Sequence, residues 1–279
     1  MPVTAAPSTV RRAAVLGSPI GHSRSPDLHL AAYRALGLAD WTYERIECTA
    51  DQLGDLVDGL DDSWVGLSVT MPAKVAALDH ADEVTDRAVM VGSANTLVRT
   101  PAGWSADCTD IDGVTGALRE LGAEGLDGAS TVVLGAGGTA RPALAALAAA
   151  GAGSVTVVVR EPARAATLLE LADTLGLTSE VVDFAPSDNL AAYCAAAAVT
   201  VSTVPAQAAA PLAVSVAASP RLIDAIYAPW PTPLAAAVTD RGGAVAGGLV
   251  MLLHQAVTQV ELFTGRAAPR DAMAAALTP

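Results

Sequence analysis

The sequence predicts an α/β protein of two domains, and three observations carry that prediction. Short runs rich in β-branched residues alternate with helix-period segments almost from end to end, the pattern of strands covered by helices. One such run, "STVVL" at 130–134, leads directly into the glycine-rich "GAGGTA" at 135–140 and then a helical segment, the layout of a Rossmann-type dinucleotide unit. The chain has 279 residues, 52% of them apolar, enough for two modest cores. The first domain is expected at 1–108, completed by 248–279, and the Rossmann-type domain at 109–247. The final helices should pack back on the first domain, with a cleft between the two.

In chain order, the start is read as a loose tail, because its two arginines precede an apolar run of only about five residues, too short for a signal-peptide core. "RAAVLG" (12–17) is a strand. In "SPD" (25–27), Ser25 is placed as N-cap, Pro26 as first helical residue and Asp27 as first-turn acid of the following helix. "WTYERIEC" (41–48) is a second strand, and Thr49 with Gln52 has capping-box spacing for a helix after it. "WVGLSVT" (64–70) is a third strand, and "NTLVRTPAGWSA" (95–106) a hairpin turning at 101–103. A helix at 111–121 stops at Gly122. The second series follows as strand 130–134, helix 140–151, strand 154–160, and further strands within 179–184, 199–204 and 221–227. A long amphipathic helix within 247–265 closes at Gly265.

Composition excludes several function classes. Acidic residues outnumber basic ones 29 to 16, a formal charge of -13, which argues against a phosphate-backbone partner and hence against nucleic acid. The three cysteines, Cys48, Cys108 and Cys194, are far apart with no CxxC pair, so neither a disulfide framework nor a metal site is expected, and a reducing cytoplasm fits. Alanine-rich tracts are broken by glycines before reaching the roughly 20 residues of a membrane span. Partners are therefore small molecules. A monomer and a homodimer both suit the sequence.

In "GAGGTA", Gly135 permits the tight turn, Gly137 lets the backbone approach a pyrophosphate, and Ala140 keeps the helix close to the strand. Ala136, Gly138 and Thr139 complete the cradle; a purely structural βα turn is the alternative. After the next strand the chain reads "VVVREPARAA", putting Arg160 at the strand end and Arg164 a turn into the following helix. A guanidinium pair there accommodates the 2′-phosphate of NADP(H). Glu161, as a ribose ligand, keeps NAD open, and solvated surface charge remains the bland alternative for both arginines.

In the first half, "SVTMPAK" places Thr70 and Lys74 past a strand end, where a lysine has the chemistry of a general acid or base, although a lone lysine is ordinarily surface charge. Asp110 in "DCTDIDG" precedes a helix that it could simply cap. Asn95 in "GSANTL" can donate to and accept from a hydroxyl pair, or merely make a turn. These loops, with the hydroxyl-rich "GSPIGHSRSPDLH" (17–29), suit a small polyol.

Taken in order and spacing, "GSPIGHSRSPDLH", "SVTMPAK", "GSANTL", "DCTDIDG", "GAGGTA", "DAIYAPWPTPL" and "GGLVMLLHQA" resemble the shikimate dehydrogenase family across nearly the whole chain. The resemblance implies NADPH-dependent reduction of 3-dehydroshikimate to shikimate, a step toward aromatic amino acids, by a substrate domain and a Rossmann domain around a closing cleft. It assigns the substrate carboxylate to Ser23 and Ser25, and the ring hydroxyls to Thr70, Lys74, Asn95, Asp110 and Gln255. Lys74 and Asp110 match its catalytic pair, Tyr227 and Gln255 its residues closing over the substrate, and Thr203, Ile226, Gly248 and Met251 its positions near nicotinamide and ribose. The family often has asparagine where this chain has Leu30, Ser68, Cys108 and Val159. Ser68 and Cys108, nearest the substrate loops, leave quinate or an amino analogue of shikimate as alternative substrates. A non-catalytic NADPH sensor is the third reading, against which intact Lys74 and Asp110 count.

Overall fold

A computed structural model describes residues 10–278, so most of the expected N-terminal tail, residues 1–9, lies outside the described residues. The chain divides into two compact units, one made of the chain up to Thr109 plus the segment from Ala256 onward, the other of Asp110–Gln255.

The first unit contains β1 (Arg11–Gly17), α1 (Ser25–Ala35), β2 (Trp41–Glu47), α2 (Leu53–Asp58), β3 (Trp64–Val69), α3 (Lys74–His80), β4 (Glu83–Val84), α4 (Asp86–Val91), β5 (Thr96–Thr100) and β6 (Gly103–Asp107). Its six-stranded sheet has the order β2-β1-β3-β5-β6-β4. β1 pairs in parallel with β2 and β3, whereas β5 runs antiparallel to both β3 and β6, as the expected hairpin requires. The central β1 and β3 are almost wholly buried, while the edge strand β2 buries little beyond Tyr43. Leu16, Leu67, Leu97 and Trp104 lie in one core on this sheet.

The second unit contains α5 (Asp110–Glu120), β7 (Ser130–Leu134), α6 (Ala140–Ala149), β8 (Ser154–Val159), α7 (Ala166–Thr174), β9 (Thr178–Asp183), α8 (Asp188–Ala196), β10 (Val199–Ser202), α9 (Ala206–Ala209), α10 (Ala213–Val216), β11 (Arg221–Asp224), α11 (Pro233–Asp240) and β12 (Ala244–Ala246). All its strands pair in parallel, in the order β12-β11-β10-β7-β8-β9. That is the doubly wound order of a dinucleotide-binding sheet, with its switch point between β7 and β10. Valines in β7 and β8 are buried because helices cover both faces of a parallel sheet.

α12 (Gly248–Thr264) begins in the second unit, and its residues from Ala256 belong to the first. There it is followed by α13 (Arg270–Ala275), which packs on α1. The Phe263 ring stacks beside His29 of α1 at 5.8 Å. Among the described residues, no helix is long and apolar enough to cross a membrane.

Two local readings shift. α1 starts at Ser25 with Arg24 as its N-cap and no side-chain cap bond, and Ser23, two residues earlier, accepts the Ser25 N–H on its hydroxyl at 3.3 Å. Asp110 is likewise the first residue of its helix, one position earlier than expected. α2 begins at Leu53, directly after "TADQ" as expected: Gln52 accepts the Thr49 N–H at 3.0 Å, half of a capping box, while the Thr49 hydroxyl turns to Asp51.

Candidate active site

The hydroxyl-rich loop after β1 is held by charged side chains from β2. Glu47 accepts the Ser18 hydroxyl at 2.6 Å and the Ile20 N–H at 3.1 Å, and Arg45 donates to the Ser23 carbonyl, its Nε at 2.9 Å. Arg24 pairs with Asp27 and reaches the Ala276 carbonyl at 3.2 Å. Ser23 and Ser25 are thereby fixed, both buried, at the N-terminal end of an 11-residue helix whose peptide dipoles favour an anion. Below them His29 donates through Nδ1–H to the Ser25 carbonyl at 2.9 Å and stacks on Tyr43 at 3.9 Å. Burial pushes the His29 pKa down to about 4, which leaves the ring neutral and makes Nδ1–H the donor to that carbonyl.

The residues expected around a ring substrate are drawn together by backbone bonds. Thr70 donates its N–H to the Leu16 carbonyl at 2.8 Å and accepts the Ala73 N–H at 3.0 Å, which seats the "TMPAK" loop against β1. Lys74 is the first residue of α3 and is buried, and its carbonyl accepts the Ala94 N–H at 2.9 Å. The next residue, Asn95, is 1% exposed. Its Oδ1 accepts the Thr109 N–H at 2.7 Å and the hydroxyls of Thr109 and Thr96, both at 3.1 Å. Asp110 follows Thr109 directly. One run of bonds thus links the main chain at Lys74 to the residue before Asp110, which heads α5 and is itself buried.

Asp107, at the end of β6, anchors this approach. Burial pushes its carboxyl up, but the Arg87 guanidinium and the Thr85 hydroxyl outweigh burial and hold it below the usual carboxylate range. Cys108 is fully buried beside it, and its N–H is donated to the Asp107 carboxylate at 2.8 Å. On α5 itself, Gly113 lies under α12: a Cβ there would meet the Met251 carbonyl at 2.8 Å and the Gln255 Cβ at 3.6 Å. Met251 and Gln255 therefore lie against α5 at a point three residues after Asp110.

In the second unit, a cavity of about 570 Å³ opens at the switch point, lined by Gly135, Ala136, Gly137, Arg160, Glu161, Arg164, Phe184 and Thr203 among others. Gly135 has φ +95, and a Cβ would stand 2.8 Å from the Thr203 hydroxyl, so only glycine serves at this turn. Thr203 donates to the Leu134 carbonyl at 2.9 Å, fixing the opposite wall. Gly138 and Thr139 lead into α6, whose first residue, Ala140, is fully buried. Arg160 immediately follows β8, its guanidinium 5.8 Å from the Phe184 ring centre. Arg164 sits in a 3-10 turn at Pro162–Ala165 rather than in the following helix, which starts after it at Ala166. It makes an exposed ion pair with Glu161 at 3.3 Å. The cavity's size, glycine floor and exposed guanidiniums fit a nucleotide phosphate group.

Ile226 and Tyr227 follow β11 in a segment tied by Asp224, which accepts the Ile226 N–H at 3.2 Å and the Thr232 hydroxyl at 2.6 Å. Burial pushes the Asp224 carboxyl up. Gly248 donates its N–H to the Ile226 carbonyl at 3.2 Å and comes so close to Ala225 that a Cβ would lie 2.3 Å from its carbonyl oxygen.

The residues not foreseen are supports: Arg45, Glu47, His29, Tyr43, Asp107, Asp224 and Gln259. Gln259 had a visible signal, an amide one turn after Gln255 within an apolar helical stripe, and it is 2% exposed.

Comparison with known proteins accounts for this arrangement. Residues 15–97 match the model described as "Shikimate dehydrogenase substrate binding domain", and residues 248–278 that of the "Shikimate 5'-dehydrogenase C-terminal domain". The shikimate dehydrogenase (NADP(+)) of Methylobacterium radiotolerans is 39% identical over 91% of this chain and 91% of its own. The crystal structure of Mycobacterium tuberculosis shikimate dehydrogenase superposes with a TM-score of 0.90 at 59% identity, covering 96% of this chain and 98% of that one. That of shikimate 5-dehydrogenase from Thermus thermophilus in complex with NADP(H) and shikimate does so at 0.79 and 30%, covering 95% and 98%. Similarity of this extent, over both units and at the loops that gather Ser25, Lys74 and Asn95, leaves one conclusion: the chain belongs to the shikimate dehydrogenase family.

Proposed function

We propose that the protein is an NADP-dependent shikimate dehydrogenase that interconverts 3-dehydroshikimate and shikimate. The first unit takes the cyclic acid and the second the dinucleotide. The observation that supports this reading is the bonded run from the Lys74 main chain through Ala94 and Asn95 to Thr109, which ties the segment that begins with buried Lys74 to the residue before buried Asp110. A relative that binds NADP(H) and shikimate together supports it. A cytoplasmic setting suits the buried cysteine thiols.

In this reading Ser23 and Ser25 donate their hydroxyls to the substrate carboxylate, helped by the α1 dipole. Thr70, Asn95 and Gln255 bind ring hydroxyls, and Tyr227 closes over the ring. Lys74 gives a proton to the carbonyl oxygen as that oxygen gains charge, and takes it back in the reverse direction. Asp110 accepts a hydrogen bond from the same hydroxyl and holds it and the ammonium in register. NADPH, when bound, supplies the hydride. The "GAGGTA" turn holds its pyrophosphate, Arg160 and Arg164 its 2′-phosphate, and Thr203, Ile226, Gly248 and Met251 border its nicotinamide half.

Absorbance of the reduced nicotinamide, with shikimate and quinate each offered with NADP and NAD, tests the proposal. Shikimate with NADP is expected to be the best pair, and Lys74→Ala to lower kcat about 100- to 10,000-fold with a much smaller change in KM. Faster turnover of quinate, or an unchanged kcat in the variant, would refute it.

A further inference from the structure

Gln259 has no role in the chemistry just described, yet its buried side-chain amide makes three hydrogen bonds. Its Oε1 accepts the Ser68 hydroxyl at 2.8 Å. Its Nε2 donates to the Thr96 hydroxyl at 3.0 Å and to the Asn95 carbonyl at 3.3 Å. Ser68 in turn accepts the Tyr43 hydroxyl at 2.7 Å, and the Tyr43 ring stacks at 3.9 Å on His29, whose Nδ1 donates to the Ser25 carbonyl at 2.9 Å. On the other side Thr96 donates to Asn95 Oδ1 at 3.1 Å. Tyr43, Ser68, Asn95, Thr96 and Gln259 are all 5% exposed or less.

The hydrogens in this series have a direction. Ser68 has one hydroxyl hydrogen and spends it on Gln259, so it must accept from Tyr43. Gln259 can accept from Ser68 only through its oxygen, which aims its two N–H groups at Thr96 and Asn95. Thr96, accepting there, is free to give its own hydrogen to Asn95 Oδ1. Oδ1 takes the Thr109 N–H at 2.7 Å, and the Thr96 and Thr109 hydroxyls, which also contact each other at 3.0 Å, converge on it, so the Asn95 carboxamide cannot flip and its NH2 end is held on the opposite side.

We propose that Gln259 is a positioning residue for substrate: it joins the Tyr43–Ser68 pair to the Asn95–Thr96 cluster, and so fixes which end of the Asn95 amide meets a ring hydroxyl while coupling that site to Ser25. This rests on the assignment of Ser25 and Asn95 to a hydroxylated cyclic acid. It predicts that loss of the Gln259 amide weakens the acid and leaves the dinucleotide untouched.

The test uses the full-length enzyme and the variants Gln259→Leu, Gln259→Glu and Ser68→Ala, each checked for a cooperative melt before kinetics with shikimate and NADP. Gln259→Leu is expected to raise the KM for shikimate about tenfold, the loss of roughly one hydrogen bond to a polar substrate group, with kcat within about threefold and the KM for NADP unchanged. Ser68→Ala should raise the same KM by a smaller factor. In Gln259→Glu, a buried acid with its pKa raised by desolvation still donates one bond when protonated. Its KM for shikimate should therefore sit near wild type at about pH 6.5 and climb toward the leucine variant by about pH 9.5. If the leucine protein does not fold, the pH profile of the glutamate variant against wild type decides. An unchanged KM for shikimate, parallel pH profiles, or equal losses for shikimate and NADP would overturn the inference while leaving the enzyme's activity intact. A wild-type protein inert toward shikimate would overturn the functional reading, and the inference with it.

Discussion

Acid should destabilise this protein through His29. The ring is fully buried on α1, its Nδ1 is engaged by the Ser25 carbonyl, its Nε2 has no hydrogen-bond partner, and Tyr43 stacks over it at 3.9 Å. A proton on Nε2 would put a charge in that apolar stack, and desolvation pushes the pKa from 6.5 down to about 4. Because the folded pKa lies below the unfolded one, the unfolded chain binds the extra proton first. Stability is then fully present above about pH 6.5 and is lost as pH falls toward 4. The shift spans about 2.5 units, so the whole loss is about 3 kcal/mol, and about 2 kcal/mol of it has gone by pH 5. For a domain of this size that is a drop in Tm of roughly 4–8 °C between pH 8 and pH 5. His29→Phe keeps the stack and cannot titrate. Melts of both proteins at the two pH values isolate the effect, since every other titrating group is shared. A phenylalanine variant that loses as much Tm as wild type over this interval would refute the reasoning.

Three further outcomes follow from the same contacts. Gly248→Ala drives a Cβ to 2.3 Å from a backbone carbonyl that cannot swing away, so the Ile226–Tyr227 segment must shift; a loss of about 1–3 kcal/mol in a urea melt and a raised KM for NADP are expected. Arg87→Ala removes the guanidinium that holds Asp107 ionised, costing about 2 kcal/mol at neutral pH. Since the Asp107 pKa is depressed, that difference should be full above the unfolded carboxylate pKa and shrink as pH falls through the folded value, which urea midpoints at pH 7 and pH 3 would show. Arg164→Ala should raise the KM for NADP roughly tenfold and spare that for NAD. Because Arg160 and Arg164 are exposed, added salt should raise the wild-type KM for NADP in the same direction.

The fold was legible where local chemistry decides it. Valine-rich β7 and β8, the glycine turn between β7 and α6, and the Pro101–Gly103 turn of the hairpin all stand where their residues put them, because each is determined by neighbours in sequence. Helix starts were less legible. Ser25 looks like a cap, but it stands as the first helical residue, no side chain caps α1, and Ser23 accepts the Ser25 N–H. Candidate site residues could be named from their motifs, whereas the groups that hold their loops could not. Arg45, Glu47, Asp107 and Asp224 read as surface charge in a chain with 29 acids, and only the pairing of β2 with β1, of β6 with β5, or of β11 with β10 brings them to the loops they hold. His29 and Tyr43 meet across 14 positions for the same reason.

Ser68 shows how a departure from a family pattern can leave a site whole. A serine cannot reach as far as an asparagine, and alone on β3 it would leave a polar gap near Asn95. The gap is filled from elsewhere: Gln259 is long enough to cross from α12, meet the serine hydroxyl with its oxygen, and place its nitrogen on Thr96. The carboxamide has in effect moved from the strand to the helix. In the proposed reading, the orientation of Asn95, which Thr96 and Thr109 hold through Oδ1, then matters more to substrate binding than the side chain at position 68. A serine on β3 is for that reason no argument for quinate over shikimate, and the substrate preference has to be sought in the groups that present donors to the ring.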